Sequence, residues 1–254
     1  MSKGQNKQLN LNLPTSAMQK LLRLCYIIPL IIILSCGSDK NKNTTVEETA
    51  TQQSEPSQLA ETSENSNGII LCFGDSITAG YGLEDSNDAF PAVLQEKIDS
   101  LNLNYTVINS GLSGETTAGG KSRIDWTLNQ DIDIFLLELG ANDGLRGVPL
   151  SETRANLQAI INTVKEKSPN TKIILAGMQL PPNMGQEYTT EFRELYVQIA
   201  KANKLSFIPF ILKDVGGIAA LNQSDGIHPT VQGHQIVAQT VWEVLEPMLK
   251  EVRN

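Results

Sequence analysis

From residue 68 onward, short apolar runs alternate with longer stretches in which apolar side chains return every three or four positions. The runs 69–73, 105–109, 132–139, 172–176 and 205–209 read as strands. Stretches 89–101, 116–128, 151–167 and 187–203 carry the helical period, and a last helix is expected from about 230 to 250. This alternation predicts an α/β fold, a parallel sheet with helices on both faces. The strands read as continuous, mainly apolar runs, as expected when both faces are covered. There is no internal repeat.

Ahead of residue 68 the pattern changes twice. Residues 24–34 form an apolar run behind Lys20 and Arg23. It falls short of the ~20 apolar residues that a bilayer span takes. A basic segment before a short apolar core matches a secretory signal; a buried helix or single membrane anchor is the competing reading. The run ends Leu34-Ser35-Cys36-Gly37, which resembles a bacterial lipoprotein signal, where the cysteine is lipidated and becomes the mature N-terminus. Leu34 is less typical of that signal than a small residue, and a start at Met18 would make it more compact. The following stretch is dominated by Ser, Thr, Asn, Gln and Glu and holds no aromatic residue. It buries too little apolar surface to offset its ordering entropy and should be disordered, with a span of roughly 30 Å. The expected organisation is a signal peptide over 1–35, a polar tether over 36–67 and one folded domain over 68–254. The expected location is outside the cytoplasm, anchored by a lipid on Cys36 to the periplasmic or cell-surface face of a bacterial membrane.

Charge sharpens this. The chain carries 20 basic and 28 acidic residues, a net −8. Residues 1–35 hold four of the basic and none of the acidic residues, so the remainder has 16 against 28, a net −12. With no basic cluster, nucleic acid and anionic membrane surfaces are poor partners. Cys25, Cys36 and Cys72 are not spaced as a disulfide or metal pair. Cys72, inside a strand run, reads as a small buried hydrophobe.

In a parallel sheet, ligands bind beyond the carboxyl ends of the strands. The loops there are 74–82, 110–120, 140–149, 178–185 and 216–229, and all but the fourth combine glycine with Ser, Asp or His. The chain has two histidines. His234 shares a helical face with Val231, Ala238, Val241 and Leu245, which reads as structural. His228 lies in a strand-end loop three residues after Asp225, a spacing that lets the carboxylate fix the ring tautomer while the other nitrogen faces outward. A histidine base is most useful beside a weak nucleophile, and Ser76 in Gly74-Asp75-Ser76-Ile77-Thr78 is the best placed hydroxyl. On its own Ser76 fits a helix cap equally well. Thr78 stands where the α/β-hydrolase elbow would need glycine. Acyl transfer also needs oxyanion donors; Asn142 and Gly114 are candidates, though each alone has a turn or cap explanation.

Four blocks in order, Gly74 to Ser76, Gly111 to Gly114, Gly140 to Asp143 and Asp225 to His228, resemble the SGNH (GDSL) hydrolase family. The strings GDSITAGYGL, SGETTAGG, LGANDGLRG and DGIHPTVQGH are similar to its bacterial arylesterase, thioesterase and lysophospholipase branch. The resemblance covers nearly all of 68–254. It implies a flavodoxin-like three-layer sandwich with strand order 2-1-3-4-5. It implies Ser76 as nucleophile, His228 as base and Asp225 as its partner. It also implies an oxyanion hole from the Ser76 and Gly114 N–H groups and the Asn142 amide. Asp75 and Asp143 match motif positions and read as loop-shaping. No cofactor or metal is implied, and the protein is expected to be a monomer acting on a small acyl or aryl ester. In that branch the loop after the fourth strand shapes acyl binding; here it is Leu180-Pro181-Pro182-Asn183-Met184-Gly185. A carbohydrate O-acetylesterase and a non-catalytic surface binding domain are the alternatives, and acyl-CoA is disfavoured for an exported enzyme.

Overall fold

The computed structural model describes residues 68–251. The expected signal peptide, the tether and Cys36 therefore lie outside the described residues. Five strands are present: β1 (Gly68–Gly74), β2 (Tyr105–Gly111), β3 (Ile134–Glu138), β4 (Lys172–Ala176) and β5 (Ser206–Ile208). The helices are α1 (Ser76–Ala79), α2 (Phe90–Ser100), α3 (Thr117–Thr127), α4 (Ala141–Leu145), α5 (Leu150–Lys167), α6 (Gln186–Asn203) and α7 (Val231–Glu251).

The strands form one parallel sheet in the order β2-β1-β3-β4-β5, as the resemblance implies. Ile70 of β1 pairs with Val107 on one side and Ile134 on the other. The chain leaves β1 toward β2 and then crosses back to β3, so the order reverses around β1. That is where such sheets open a crevice at their carboxyl edge. Helix α2 packs on α7, while α3 packs on α5 and α5 on α6, giving one layer on each face.

Periodicity explains the layers. In α5, Leu157, Ile160, Ile161 and Val164 are buried; in α6, Phe192, Leu195, Tyr196 and Ile199 are. Both sets follow the i, i+3, i+4, i+7 spacing of one helical face. The sheet is buried and apolar at Ile70–Phe73 and Phe135–Leu137. Burial pushes the Cys72 thiol up to about 12, helped by the nearby Glu138, so it packs as an inert side chain.

Two elements differ from the sequence pattern. Strand β3 is shorter than the apolar run 132–139, because Asp133 turns its carboxylate to accept the Ile69 N–H at 2.7 Å. Helix α4 is unexpected, since its sequence Ala-Asn-Asp-Gly-Leu holds glycine and two weak helix formers. It starts at Gly140, whose φ of +119° favours glycine. A Cβ there would strike the Tyr196 hydroxyl, which donates to the Leu139 carbonyl at 2.9 Å.

Candidate active site

Ser76 opens α1 directly after β1. Asp75 caps that helix, its Oδ1 accepting the Ile77 N–H at 3.0 Å. The serine is thereby pinned at the carboxyl edge of the sheet, 9% exposed. Its Oγ lies 2.9 Å from His228 Nε2 and 3.5 Å from Asp75 Oδ1. The shorter contact decides that the hydroxyl proton points to the imidazole.

His228 comes from the long loop between β5 and α7. Its Nδ1 is 2.7 Å from Asp225 Oδ2, and Asp225 Oδ1 accepts the backbone N–H groups of Ile227 and His228, each at 3.0 Å. The bond to His228, and then those backbone donors against some desolvation, hold the Asp225 carboxyl down to about 2. It is therefore ionised at neutral pH and fixes the proton on Nδ1, leaving Nε2 to accept. The loop itself is tied down by Gln223, whose Nε2 donates to the Tyr81 and Pro229 carbonyls at 2.7 and 2.9 Å. The Tyr81 ring covers the imidazole, with centroids 4.7 Å apart.

Gly114 and Asn142 line the same cavity as Ser76, Asp225 and His228, a space of about 700 Å³. All five residues singled out in the sequence thus meet at one place. Gly114 sits at φ +79° in the loop after β2. Beside it, Glu115 forms a two-pronged ion pair with Arg123 at 2.7 and 2.6 Å. Arg123 also binds the Ser110 hydroxyl and carbonyl at 2.9 Å and stacks on Phe73. Asn142, on α4, donates from Nδ2 to Asp75 Oδ2 at 3.1 Å. Asp143 is buried and accepts the Thr117 N–H at 2.8 Å and its hydroxyl at 2.5 Å, locking the start of α3 to α4.

Beneath the serine lies a carboxyl that the sequence pattern hid. Glu138, at the end of β3, is 1% exposed. Its Oε2 accepts the Thr78 hydroxyl at 2.8 Å and the Asp75 N–H at 3.3 Å, while Oε1 has no partner among the described residues. Burial, then the charge of Asp75, raises its carboxyl well above the ordinary range and so favours the protonated form. Burial also lifts Asp75, against its four hydrogen-bond and charge partners, to about 6. The signal was an acid inside the apolar stretch 134–139, which is either an edge residue or a buried, partnered one. Arg123, Arg146 and Tyr81 gave no comparable signal. Nothing in the residue pattern marks these pairings, of which Tyr81 with His228 and Arg146 with Gly114 form only in the fold.

The other histidine is wholly buried between α2 and α7. His234 Nδ1 accepts the Phe90 N–H at 3.2 Å, and Nε2 has no partner among the described residues. Burial lowers it to about 4, so it is a neutral packing residue. Much of the cavity wall is apolar, with Ile77, Met178, Leu180, Pro181, Phe210 and Leu212 among its lining side chains. No group of three or more His, Cys, Asp or Glu able to hold a metal ion occurs among the described residues.

Residues 72–236 match the model of the GDSL-like lipase/acylhydrolase family. The chain is 36% identical over 181 residues to esterase TesA of Pseudomonas aeruginosa, covering 71% of this chain and 89% of that protein. It is 34% identical over 181 residues to thioesterase 1/protease 1/lysophospholipase L1 of Escherichia coli, covering 71% and 84%. Among solved structures it resembles the psychrotrophic esterase EstA of Pseudoalteromonas sp., inhibited by monoethylphosphonate. That match has 31% identity and a TM-score of 0.67, covering 72% of this chain and 99% of that one.

Proposed function

The chain belongs to the GDSL-like lipase/acylhydrolase family and is one of its carboxylic ester hydrolases; we propose that it works through an acyl-enzyme on Ser76. The observation that carries this reading is the continuous relay from Ser76 Oγ through His228 to Asp225, at 2.9 and 2.7 Å.

As Ser76 Oγ attacks the acyl carbon, its proton passes to His228 Nε2. The ionised Asp225 stabilises the imidazolium that forms. Negative charge then gathers on the former carbonyl oxygen, where the Ser76 and Gly114 N–H groups and Asn142 Nδ2 receive it. Neither N–H donates to a protein acceptor among the described residues. Both stay available for charge that appears only in the transition state, which is what lowers the barrier. Collapse of the intermediate breaks the ester C–O bond, and His228 returns the proton to the leaving oxygen. Water, deprotonated by His228, then hydrolyses the acyl-serine and frees the acid.

The apolar wall favours an acyl chain over a sugar, which would need polar partners. The substrate is accordingly an acyl or aryl ester rather than an acetylated glycan. The lipoprotein-like signal supports export and anchoring through Cys36, and the domain is taken to act there as a monomer. Intact mass of the mature protein, with and without a block in lipoprotein processing, tests the anchor. The base assignment is tested by turnover of two variants: His228→Asn should lose nearly all activity and His234→Asn should keep it. The reverse result would overturn the assignment.

A further inference from the structure

Gly114 and Asn142 come from different strand ends, after β2 and after β3, yet one side chain touches both. Arg146 follows α4 on the exposed side of the site. Its Nη2 donates to the Gly114 carbonyl at 3.0 Å and lies 3.4 Å from Asn142 Oδ1. On the other side, Asn142 Nδ2 donates to Asp75 at 3.1 Å. A carboxamide held between a guanidinium and a carboxylate has one orientation. Turning it over would set its oxygen against Asp75 and its nitrogen against the cation.

Gly114 needs such a hold. Its loop is exposed, its φ of +79° is one that glycine adopts freely, and near the place of a Gly114 Cβ only Arg146 Nη2, at 3.8 Å, comes within 4 Å among the described residues. Glu115 is fixed from the other side by Arg123. Arg146 closes the span between them.

We propose that Arg146 is a positioning residue of the oxyanion hole, coupling the Asn142 amide to the Gly114 backbone so that both donors are aimed before charge develops. Arg146 does not line the cavity, so it acts through these two groups and not on substrate. Preorganised donors cost no rearrangement as the oxyanion forms; loosened ones must be reordered in every turnover. The proposal rests on the assignment of Ser76, Gly114 and Asn142 given above.

The test is steady-state kinetics on one aryl ester with Arg146→Met, Arg146→Lys, Asn142→Ala and the double variant Asn142→Ala/Arg146→Met. Asn142→Ala should cost about 10²–10³-fold in kcat, the loss of one oxyanion donor. Arg146→Met should cost about tenfold in kcat with KM nearly unchanged, a fraction of that donor loss, and millimolar guanidinium should restore part of it. Arg146→Lys, which keeps the charge but lacks the planar guanidinium that places Nη2 between the two oxygens, should fall between wild type and Arg146→Met. In the Asn142→Ala background the Arg146→Met effect should shrink, because part of what the arginine holds is gone. An unchanged kcat, a change in KM alone, or the same loss in both backgrounds would overturn the proposal. If Asn142→Ala itself turns over normally, the oxyanion assignment fails first and takes the proposal with it. A slow Asn142→Ala beside a normal Arg146→Met sinks only the positioning role.

Discussion

Ser76 meets two demands at once. Its backbone must begin a helix, so that its N–H is unbonded, and its hydroxyl must reach an imidazole supplied 152 residues later. Asp75 meets the first by capping α1, and the Asp225–His228 pair meets the second. Changing Asp225 to Asn keeps the shape but allows the wrong ring tautomer, and kcat should drop by about 10⁴. A drop of less than tenfold would show that His228 holds its tautomer without the carboxylate. The candidate site residues were legible because histidine is scarce, because they fall at strand ends, and because the four ordered blocks resemble a known family. With two histidines in the chain, one on an apolar face, His228 was the natural base. Glu138, Arg123 and Arg146 were not legible in the same way. Nothing in the residue pattern marks their pairings, and Glu138 reads as one more position of a strand. Because burial favours its protonated form, Glu138 should tolerate Gln: thermal stability of Glu138→Gln should stay within a few degrees of wild type, and a much larger loss would show that the carboxyl is ionised there.

Among the elements, pattern and structure agree where burial has a period. Helices α5 and α6 and the five strands fall close to the expected runs because one face, or both, must be covered. The order of the strands came from the resemblance, since alternation gives parallelism but not neighbours. Short α4 escaped because tertiary bonds, not propensity, hold it: Asp143 is bound to Thr117, and Tyr196 to Leu139. Helix α7 carries a testable cost in its buried histidine. His234 is lowered to about 4 in the fold against an ordinary 6.5. The folded state thus binds fewer protons than the unfolded one between these values. Stability is full above pH 6.5 and is lost as pH falls toward 4, by on the order of 3 kcal/mol for this group. Denaturation midpoints of wild type and His234→Gln, compared from pH 7 to 4.5, should show the wild type losing more on acidification. Parallel curves would mean that His234 is not held neutral by burial.

For the whole molecule, the cavity at the sheet's carboxyl edge divides its lining between a few polar groups and many apolar side chains. That division predicts an acyl preference. Across esters from acetyl to palmitoyl, kcat/KM should rise beyond acetyl before levelling off, and acetylated sugars should be poor substrates. Faster turnover of acetylated xylan than of simple esters would reverse the substrate assignment. Upstream of the described residues, Cys36→Ser should shift the protein from the membrane fraction to the soluble one, and an unchanged distribution would remove the lipid anchor. The most direct test of the account is phosphonylation of the purified protein with a fluorophosphonate, followed by peptide mass mapping. One equivalent should attach at Ser76, with none on folded Ser76→Ala; a folded wild-type protein that takes no label, or takes it elsewhere, would contradict the central claim.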